Sequence, residues 1–361
     1  MDDATTSGAA PEAGPTGRGW WIYQGTGVPR PEPLADVLPP PPPWRDFSGG
    51  PLQDPPPADE EGYTRRLGAL GGAPVPVDRA EPDAVNAALY LRRPLIVTGP
   101  PGAGKSTLAY RVGRELGLGR VLRWPVSSGS SLRQALYTYD PIGRVHDIAA
   151  EAEPPPGIGD YLRLGPLGTA LLPQALPRVL LVDEIDKGDL DLANDLLDVI
   201  EEGEFAVPEL ARTADGEQEA RVRTDDPGRW ALVRGGRVRC REFPLVVMTS
   251  NGEREFPDAF KRRCLHVDMG PPDAGRLEAM VGAHFRRRFE GEWTQERADR
   301  ARDLVQRFLG RSGEAGPLTA DQLLNAVHIT MSAPEAAAVG DEVLDFLWRG
   351  VDGARDEGRW T

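Results

Sequence analysis

The sequence predicts an α/β fold in which a parallel sheet lies between helices, with a proline-rich arm before it and a small helical domain after it. Three observations lead to this prediction. A short apolar strand at 95–97 is followed by a glycine-rich turn and by a helix with apolar residues three and four positions apart. Two further apolar stretches, 179–182 and 244–248, end in polar residues. From residue 271 onward the apolar spacing is helical.

The first part of the chain has the composition of an extended segment. Proline dominates residues 29–57, with an unbroken run at 39–43, and such segments favour polyproline conformations over packed cores. We therefore divide the chain into an arm at 1–75, a first domain at 76–270 and a helical domain at 271–361. The arm carries three indoles in polar surroundings, which predicts that they dock on folded protein. The surface could belong to the same subunit, a neighbouring subunit or a separate protein, and the indoles are those of Trp20, Trp21 and Trp44.

Charge and cysteine content narrow the classes of partner and compartment. The formal net charge of -14 argues against nucleic acid, which requires a clustered excess of Lys and Arg. Cys240 and Cys264 have neither the spacing of metal ligands nor the density of a disulfide scaffold. No apolar run is long enough to span a bilayer, and the first residues lack the basic and apolar regions of a secretion signal. The sequence thus predicts a cytoplasmic protein that binds neither nucleic acid nor membrane.

The glycine-rich turn matches the phosphate-binding pattern G-x-x-x-x-G-K-[ST]. We expect nucleotide contacts from Gly99, Pro100, Pro101, Gly102, Ala103, Gly104, Lys105, Ser106 and Thr107. Glycines let backbone N–H groups surround the phosphates at a helix N-terminus, the lysine reaches the outer phosphates, and the Ser106 hydroxyl is a ligand for Mg²⁺. The alternative is a glycine-rich turn without a ligand. The preceding strand, the following helix and the scarcity of lysine, found elsewhere only at Lys187 and Lys261, favour a nucleotide.

The stretch "VLLVDEIDKGD" at 179–189 has two interpretations. It could be a solvated run of charge at a helix start, where carboxylates are favoured by the helix dipole, or it could hold a metal and activate a water. The phosphate loop favours the second, because in such enzymes an acidic residue that ends a buried strand holds the magnesium shell. We assign this role to Asp183, and Glu184 is suited to polarise the attacking water. The later carboxylates are expected to cap or flank the following helix, and they are Asp186, Asp189 and Asp191.

Taken in order, these motifs resemble the AAA+ ATPases, since a third strand ends in Asn251 and is followed by the basic pair of "PDAFKRRC". The stretches "GPLGTALLP", "NDLLDVIEEGEFAVPE" and "TSNGEREFPDAFKRRC" are similar to the MoxR-like branch. The resemblance covers about residues 76–345. It implies a P-loop αβα sandwich with a parallel sheet, followed by a small α-helical lid, and it implies two hairpin insertions, at 161–168 and 204–240.

The resemblance also implies roles for three further residues. Asn251 would orient the attacking water near the γ-phosphate, although a strand-end turn former is the simpler alternative. Arg263, or its neighbour Arg262, would be the arginine finger that reaches the nucleotide of the adjacent subunit, and a surface basic pair is the alternative. A lid arginine is expected where this chain has Leu318. Either Arg311 compensates, or no lid arginine contacts the nucleotide.

The function that the resemblance implies is ATP hydrolysis with Mg²⁺ by a homo-oligomeric ring, expected to be a hexamer. Such a ring would act as a chaperone or remodeller of a partner protein complex, and partners with a von Willebrand factor A domain are typical of the family. The alternative is a nucleotide-gated scaffold or signalling switch in a regulatory or defence system. Steady turnover would indicate the first class, whereas tight binding with slow turnover would indicate the second.

Overall fold

The computed structural model describes residues 19–71, 77–150, 157–211, 219–286, 293–315, 318–332 and 340–348. The predicted boundary between residues 75 and 76 lies outside these ranges. The helices of eight or more residues are α2 (Glu60–Leu67), α3 (Ala80–Leu91), α4 (Lys105–Glu115), α6 (Pro141–Ala149), α8 (Leu190–Glu202), α11 (Ala274–Phe285), α12 (Gln295–Ala315) and α13 (Ala320–Ser332). The shorter helices are α1 (Leu34–Val37), α5 (Leu132–Leu136), α7 (Pro166–Ala170), α9 (Pro208–Ala211), α10 (Asp258–Arg263) and α14 (Asp341–Leu347).

The described strands form two sheets. The strands are β1 (Leu95–Thr98), β2 (Leu122–Pro125), β3 (Tyr137–Tyr139), β4 (Leu162–Leu164), β5 (Val179–Asp183), β6 (Glu204–Ala206), β7 (Glu219–Arg223), β8 (Trp230–Arg234), β9 (Arg237–Arg239), β10 (Leu245–Thr249) and β11 (Leu265–Asp268). The first sheet has the order β11-β1-β10-β5-β2, and all its pairings are parallel. This sheet confirms the predicted α/β fold.

The parallel sheet is buried on both faces, which explains why its central strands are continuous apolar runs. In β5, Leu180 and Val182 join one hydrophobic cluster, and Val179 and Leu181 join the cluster on the opposite face. Because the strands are parallel, their carboxyl ends meet at one edge of the sheet. The phosphate loop, the acidic pair and Asn251 therefore follow β1, β5 and β10 at the same edge.

The second sheet joins the two insertions and was not predicted from the sequence. It has the order β3-β4-β7-β8-β9-β6, and the insertions meet where Arg163 of β4 pairs with Arg223 of β7. The rings of Tyr137 and Phe205 stack with centroids 6.4 Å apart. The insertions thus form one β-layer rather than two separate hairpins.

The arm packs into both faces of the core. Tyr23 is completely buried, and Asn86 of α3 fixes the backbone there: its amide oxygen accepts from the N–H groups of Ile22 and Tyr23 at 2.7 and 2.9 Å, and its nitrogen donates to the Tyr23 carbonyl. Further along, the buried guanidinium of Arg45 lies over the ring of Phe243 at 4.4 Å. The arm is therefore part of the folded core over residues 22–47.

The three indoles of the arm lie in different surroundings. The Trp20 ring makes an edge contact with Tyr90, with centroids 5.6 Å apart, and the Trp21 ring nitrogen donates to Asp83 at 3.0 Å. Both contacts are with α3 of the same chain. Trp44, in contrast, is 73% exposed, so it does not dock on this chain.

The C-terminal helices form a hydrophobic core of their own, which suits the predicted lid. Its members include Leu277, Val305, Leu323, Val327 and Leu344. None of the helices that the structure describes is long and apolar enough to cross a membrane.

Candidate functional site

The phosphate loop connects β1 to α4 with the backbone geometry that its glycines permit. Gly99, Gly102 and Gly104 have φ angles of 141°, 78° and 84°, values that residues other than glycine rarely adopt. A Cβ on Gly99 would collide with the Met269 carbonyl oxygen, and one on Gly102 would lie 2.9 Å from the Leu318 carbonyl oxygen. The glycines are therefore required both by the turn and by the close approach of β11 and the lid.

Lys105 and Asn251, which are 146 positions apart in the sequence, lie in direct contact. The lysine Nζ donates to the Asn251 Oδ1 at 2.7 Å and to the carbonyl oxygens of Gly99 and Pro100 at 2.7 and 3.0 Å. Burial lowers the pKa of Lys105, against the opposing effect of nearby carboxylates. The structure thus places the residue predicted to sense the γ-phosphate beside the lysine predicted to bind it.

The carboxylate of Asp183, at the end of β5, is held by four hydrogen bonds from three side chains. Its Oδ1 accepts from the hydroxyls of Ser106 at 2.6 Å and Thr249 at 2.9 Å. Its Oδ2 accepts from Nη2 and Nε of Arg123, at 2.7 and 3.2 Å. Burial alone would raise the pKa of Asp183, but these hydrogen bonds hold the pKa below its usual value. The carboxylate is therefore ionised and aimed at the first turn of α4.

Glu184 adopts an unusual backbone conformation directly after the strand. Its φ of 60° lies in the left-handed region, which costs a residue other than glycine free energy and is most often found at functional sites. Its N–H donates to the Thr249 Oγ1 at 2.8 Å. Its half-exposed carboxylate forms an ion pair with Lys187 at 2.9 Å. Thr249 thus orients both members of the acidic pair, one through each of its hydroxyl hydrogen bonds.

The prediction that Asp186 caps or flanks the next helix is wrong. Its carboxylate is 2% exposed, and Oδ2 accepts from the N–H groups of Asn251 and Glu253 at 2.8 and 3.1 Å. Its other oxygen has no hydrogen-bond partner among the residues that the structure describes. Asp186 therefore fixes the loop after β10 that presents Asn251.

The donor set at the phosphate loop suits Mg²⁺. A hydroxyl oxygen and a carboxylate oxygen, those of Ser106 and Asp183, lie 2.6 Å apart, and Mg²⁺ prefers a few such hard oxygen ligands together with water and phosphate oxygens. Within the described ranges, no group of three or more His, Cys, Asp or Glu side chains could hold a metal by protein ligands alone. The geometry thus fits an ion that arrives with a phosphorylated ligand.

The two predicted finger arginines lie on α10. The Arg263 Nε donates to Glu201 of α8 at 3.0 Å, and the Arg262 Nε donates to the Asp258 carbonyl at 3.2 Å. Both side chains reach solvent, and their hydrogen bonds in the described structure are with α8 and α10 rather than with the phosphate loop.

A cavity of about 110 Å³ lies between the phosphate loop and the lid. The loop contributes Gly102 to Gly104, the lid contributes Arg276, Leu277 and Ala320, and the arm contributes Thr26 and Gly27. The cavity therefore adjoins the phosphate loop, the lid and the arm. The position of the expected lid arginine, Leu318, is buried, and Arg311 pairs with Asp345 of the lid at 2.8 Å.

Arg123, Thr249 and Arg276 are site residues that the sequence analysis missed. Arg123 had one available signal, because it is a single charged residue within the apolar run "VLRW". Thr249 and Arg276 had none, since a threonine at the end of a strand and a single arginine in the first turn of a helix are both ordinary.

Comparison with known proteins identifies one part of the chain. Residues 94–264 match the family model described as AAA domain (dynein-related subfamily). No sequence among the curated proteins compared matches the chain. Among solved structures, NtrX from Brucella abortus in complex with ADP is 15% identical, with a TM-score of 0.43, over 79% of this chain and 58% of that chain. PCH-2 of C. elegans is 13% identical, with a TM-score of 0.39, over 81% of this chain and 70% of that chain. These structural likenesses are too distant to carry an assignment of function.

Proposed function

We propose that this chain, which carries an AAA domain at residues 94–264 and is an ATP-hydrolysing P-loop enzyme, uses Mg²⁺-dependent hydrolysis to remodel a partner protein complex as a ring of the MoxR-like type. The contact set of Ser106, Asp183, Thr249 and Glu184 is the observation that carries the magnesium-dependent part of the proposal. It brings a metal-binding hydroxyl, a metal-holding carboxylate and a water-polarising carboxylate to one edge of the sheet.

Each residue has a distinct task in the proposed reaction. Mg²⁺, held by Ser106 and Asp183, would neutralise charge on the phosphates. Lys105 binds the outer phosphates, and for this its ammonium exchanges hydrogen bonds with loop carbonyls for bonds to phosphate oxygens. Glu184 accepts a hydrogen bond from the attacking water, and Asn251 positions that water. The sugar and base occupy the cavity between the loop and the lid.

The role assignment is tested by comparing Lys105→Ala with Glu184→Gln. Lys105→Ala should lose nucleotide affinity, because it removes the cation that binds the phosphates. Glu184→Gln should keep affinity and lose turnover, because the amide cannot polarise the water as the carboxylate does. Nucleotide binding is measured by fluorescence titration and turnover by phosphate release. Equal loss of binding in both variants would contradict the assignment.

The proposed ring rests on the placement of Arg263 on the surface of α10, away from the loop of its own chain. An arginine finger supplied by a neighbour contributes roughly 10³ to 10⁵ in kcat in related phosphoryl transfer. Subunits with Arg263→Ala should therefore recover activity when mixed with subunits carrying Lys105→Ala, since one provides an intact loop and the other an intact finger. Absence of recovery in mixtures that co-assemble would exclude Arg263 and leave Arg262 to be tested in the same way.

A second function, that of a nucleotide-gated switch, is favoured by one specific observation. The groups needed for hydrolysis are already paired within the chain: Asp183 with Arg123, and Glu184 with Lys187. Such pairing would slow turnover until a partner or a neighbour rearranges the site. Steady-state hydrolysis of the Glu184→Gln and wild-type proteins, with and without proteins that co-purify with the trapped variant, separates the switch from the remodeller. A co-purifying protein with a von Willebrand factor A domain would support the remodeller.

A further inference from the structure

The lid stretch that includes Arg311 and Leu318 approaches the phosphate loop at the expected place, but neither of these two residues presents a cation there. The start of α13 packs on the loop, because a Cβ on Gly102 would lie 2.9 Å from the Leu318 carbonyl oxygen and 3.1 Å from the Thr319 Cα. The Leu318 side chain turns into the lid core. Arg311 is paired with Asp345, on α14, at 2.8 Å. Leu318 has no guanidinium, and Arg311 could reach a nucleotide only if its ion pair with Asp345 were broken.

A different lid arginine lies against the loop. Arg276 is in the first turn of α11, where its N–H donates to the Asp273 carboxylate at 2.8 Å and fixes the start of the helix. Its Nη2 lies 3.4 Å from the point that a Cβ on Gly104 would occupy. Gly104 immediately precedes Lys105 and caps α4, so the guanidinium lies beside the loop N–H groups that surround phosphates in this motif.

Among the described residues, the guanidinium of Arg276 has only a long ion pair. It lies 3.8 Å from the Glu81 carboxylate, beyond hydrogen-bond distance. Glu81 is already engaged, since Arg111 donates to it at 2.7 Å and the Tyr23 hydroxyl at 2.8 Å. The Arg276 side chain is 18% exposed, and it lies near a second cation, Arg111, as well as near the carboxylates of Glu81 and Asp273. Burial and the neighbouring Arg111 lower the pKa of Arg276, so an anion beside it would be favourable.

We propose that Arg276 is the lid's nucleotide-binding arginine, and that it contacts the α- or β-phosphate from the first lid helix instead of the γ-phosphate from the third. The inference rests on the proposed nucleotide site. The position beside Gly104 selects the inner phosphates, because the loop end nearest α4 surrounds them while Lys105 extends to the outer ones. The position of the lid is then coupled to the binding of either ATP or ADP at the phosphate loop.

The experiment compares the full-length wild type with Arg276→Gln, Arg276→Lys and the matched control Arg311→Gln. Affinities for mant-ATP and mant-ADP are measured by fluorescence, with and without Mg²⁺. Loss of a charge-assisted hydrogen bond predicts roughly 10- to 100-fold weaker binding of both nucleotides to Arg276→Gln. Arg276→Lys should retain part of the affinity, and Arg311→Gln should bind like the wild type.

A readout from the lid separates a binding role from a merely structural one. Nucleotide should slow hydrogen exchange in residues 274–285 of the wild type and of Arg311→Gln, but not of Arg276→Gln at equal saturation. Exchange without nucleotide should be the same in all variants if the fold is intact. If Arg276→Gln binds both nucleotides as Arg311→Gln does, Arg276 has no such role and the proposed function stands. A loss confined to mant-ATP would also overturn the inference, because it would place Arg276 at the γ-phosphate. If the wild type binds neither nucleotide, the proposed function itself fails.

Discussion

Replacement of Glu115 by alanine should release the N-terminal arm from the ATPase core. Glu115 ends α4 and is 1% exposed. Its carboxylate accepts from the Gln24 N–H at 2.5 Å, the Thr26 hydroxyl at 3.0 Å and the Gly27 N–H at 2.8 Å. One buried side chain thus holds three successive donors of the arm, and two of the donor residues line the cavity beside the phosphate loop.

The expected destabilisation of the arm follows from the loss of the hydrogen bonds that these three donors make. A buried N–H left unpaired costs about 1–3 kcal/mol, and this applies fully to Gly27. Gln24 and Thr26 reach water more easily, so each contributes less. The removal of a buried charge offsets part of this destabilisation. Burial raises the pKa of Glu115 despite the hydrogen bonds that favour its ionised form. The expected net destabilisation of the arm is ~2 kcal/mol, which corresponds to roughly 30-fold faster local opening.

Hydrogen exchange over residues 20–30 measures this opening, with Glu61→Ala, an exposed carboxylate on α2, as the control. Glu115→Gln should fall between the wild type and Glu115→Ala, because it keeps one acceptor oxygen. Nucleotide affinity should fall in the same order, since the arm forms one wall of the cavity. If residues 20–30 exchange no faster in Glu115→Ala than in the control, the carboxylate does not hold the arm.

Three further predictions concern the site and the core. Thr249→Val should lower kcat about ten-fold or more with little change in nucleotide affinity, because it leaves the partly buried N–H of Glu184 unpaired and frees the acidic pair, at a cost of about 1–3 kcal/mol. Thr249→Ser should restore activity, and an equal loss in both variants would contradict this role. Arg123→Gln should lower by a few-fold the Mg²⁺ concentration that half-saturates nucleotide binding, since the partly exposed ion pair between Arg123 and Asp183 is worth ~0.2–1 kcal/mol. The control Arg133→Gln should leave this midpoint unchanged. An unchanged midpoint in Arg123→Gln would show that the guanidinium does not compete with the metal. Burial raises the pKa of the Cys240 and Cys264 thiols to about 12, so alkylation of the native protein should stay slow from about pH 7 to 9; labelling at the rate of the unfolded chain would contradict their burial.

The parts of the site that can be predicted from the sequence are those encoded by short, local sequence patterns. The phosphate loop is contiguous from Gly99 to Thr107, and its glycines are required by backbone geometry that any such loop must adopt. Asp183 and Asn251 each follow a continuous apolar strand, and parallel pairing necessarily brings their ends to one edge. These placements need no knowledge of how distant segments pack.

The remaining features depend on pairings that no local pattern specifies. Arg123 reaches the acidic pair only because β2 lies beside β5 in the sheet. The arm docks because Asn86, an ordinary polar residue of α3, bonds three backbone groups around Tyr23. Proline content correctly indicates that residues 29–57 do not form a core of their own, but it does not indicate which groove they occupy. The union of the two insertions into one sheet likewise depends on a contact between β4 and β7.

Three cations of the site are each paired with a residue that the proposed hydrolysis needs, and this pairing bears on how hydrolysis would be regulated. Lys105 holds the amide of Asn251, Arg123 holds the carboxylate proposed to bind Mg²⁺, and Lys187 holds the carboxylate proposed to polarise the attacking water. Nucleotide and Mg²⁺ can displace the first two, because phosphate oxygens replace the amide and the metal replaces the guanidinium. Nothing in the nucleotide displaces Lys187, whose ion pair lies at the half-exposed surface. Release of the glutamate would then depend on a neighbouring subunit or partner that contacts this surface. Lys187→Ala should therefore raise the turnover of the isolated chain more than that of the proposed ring, as measured by phosphate release below and above the concentration at which the chain assembles.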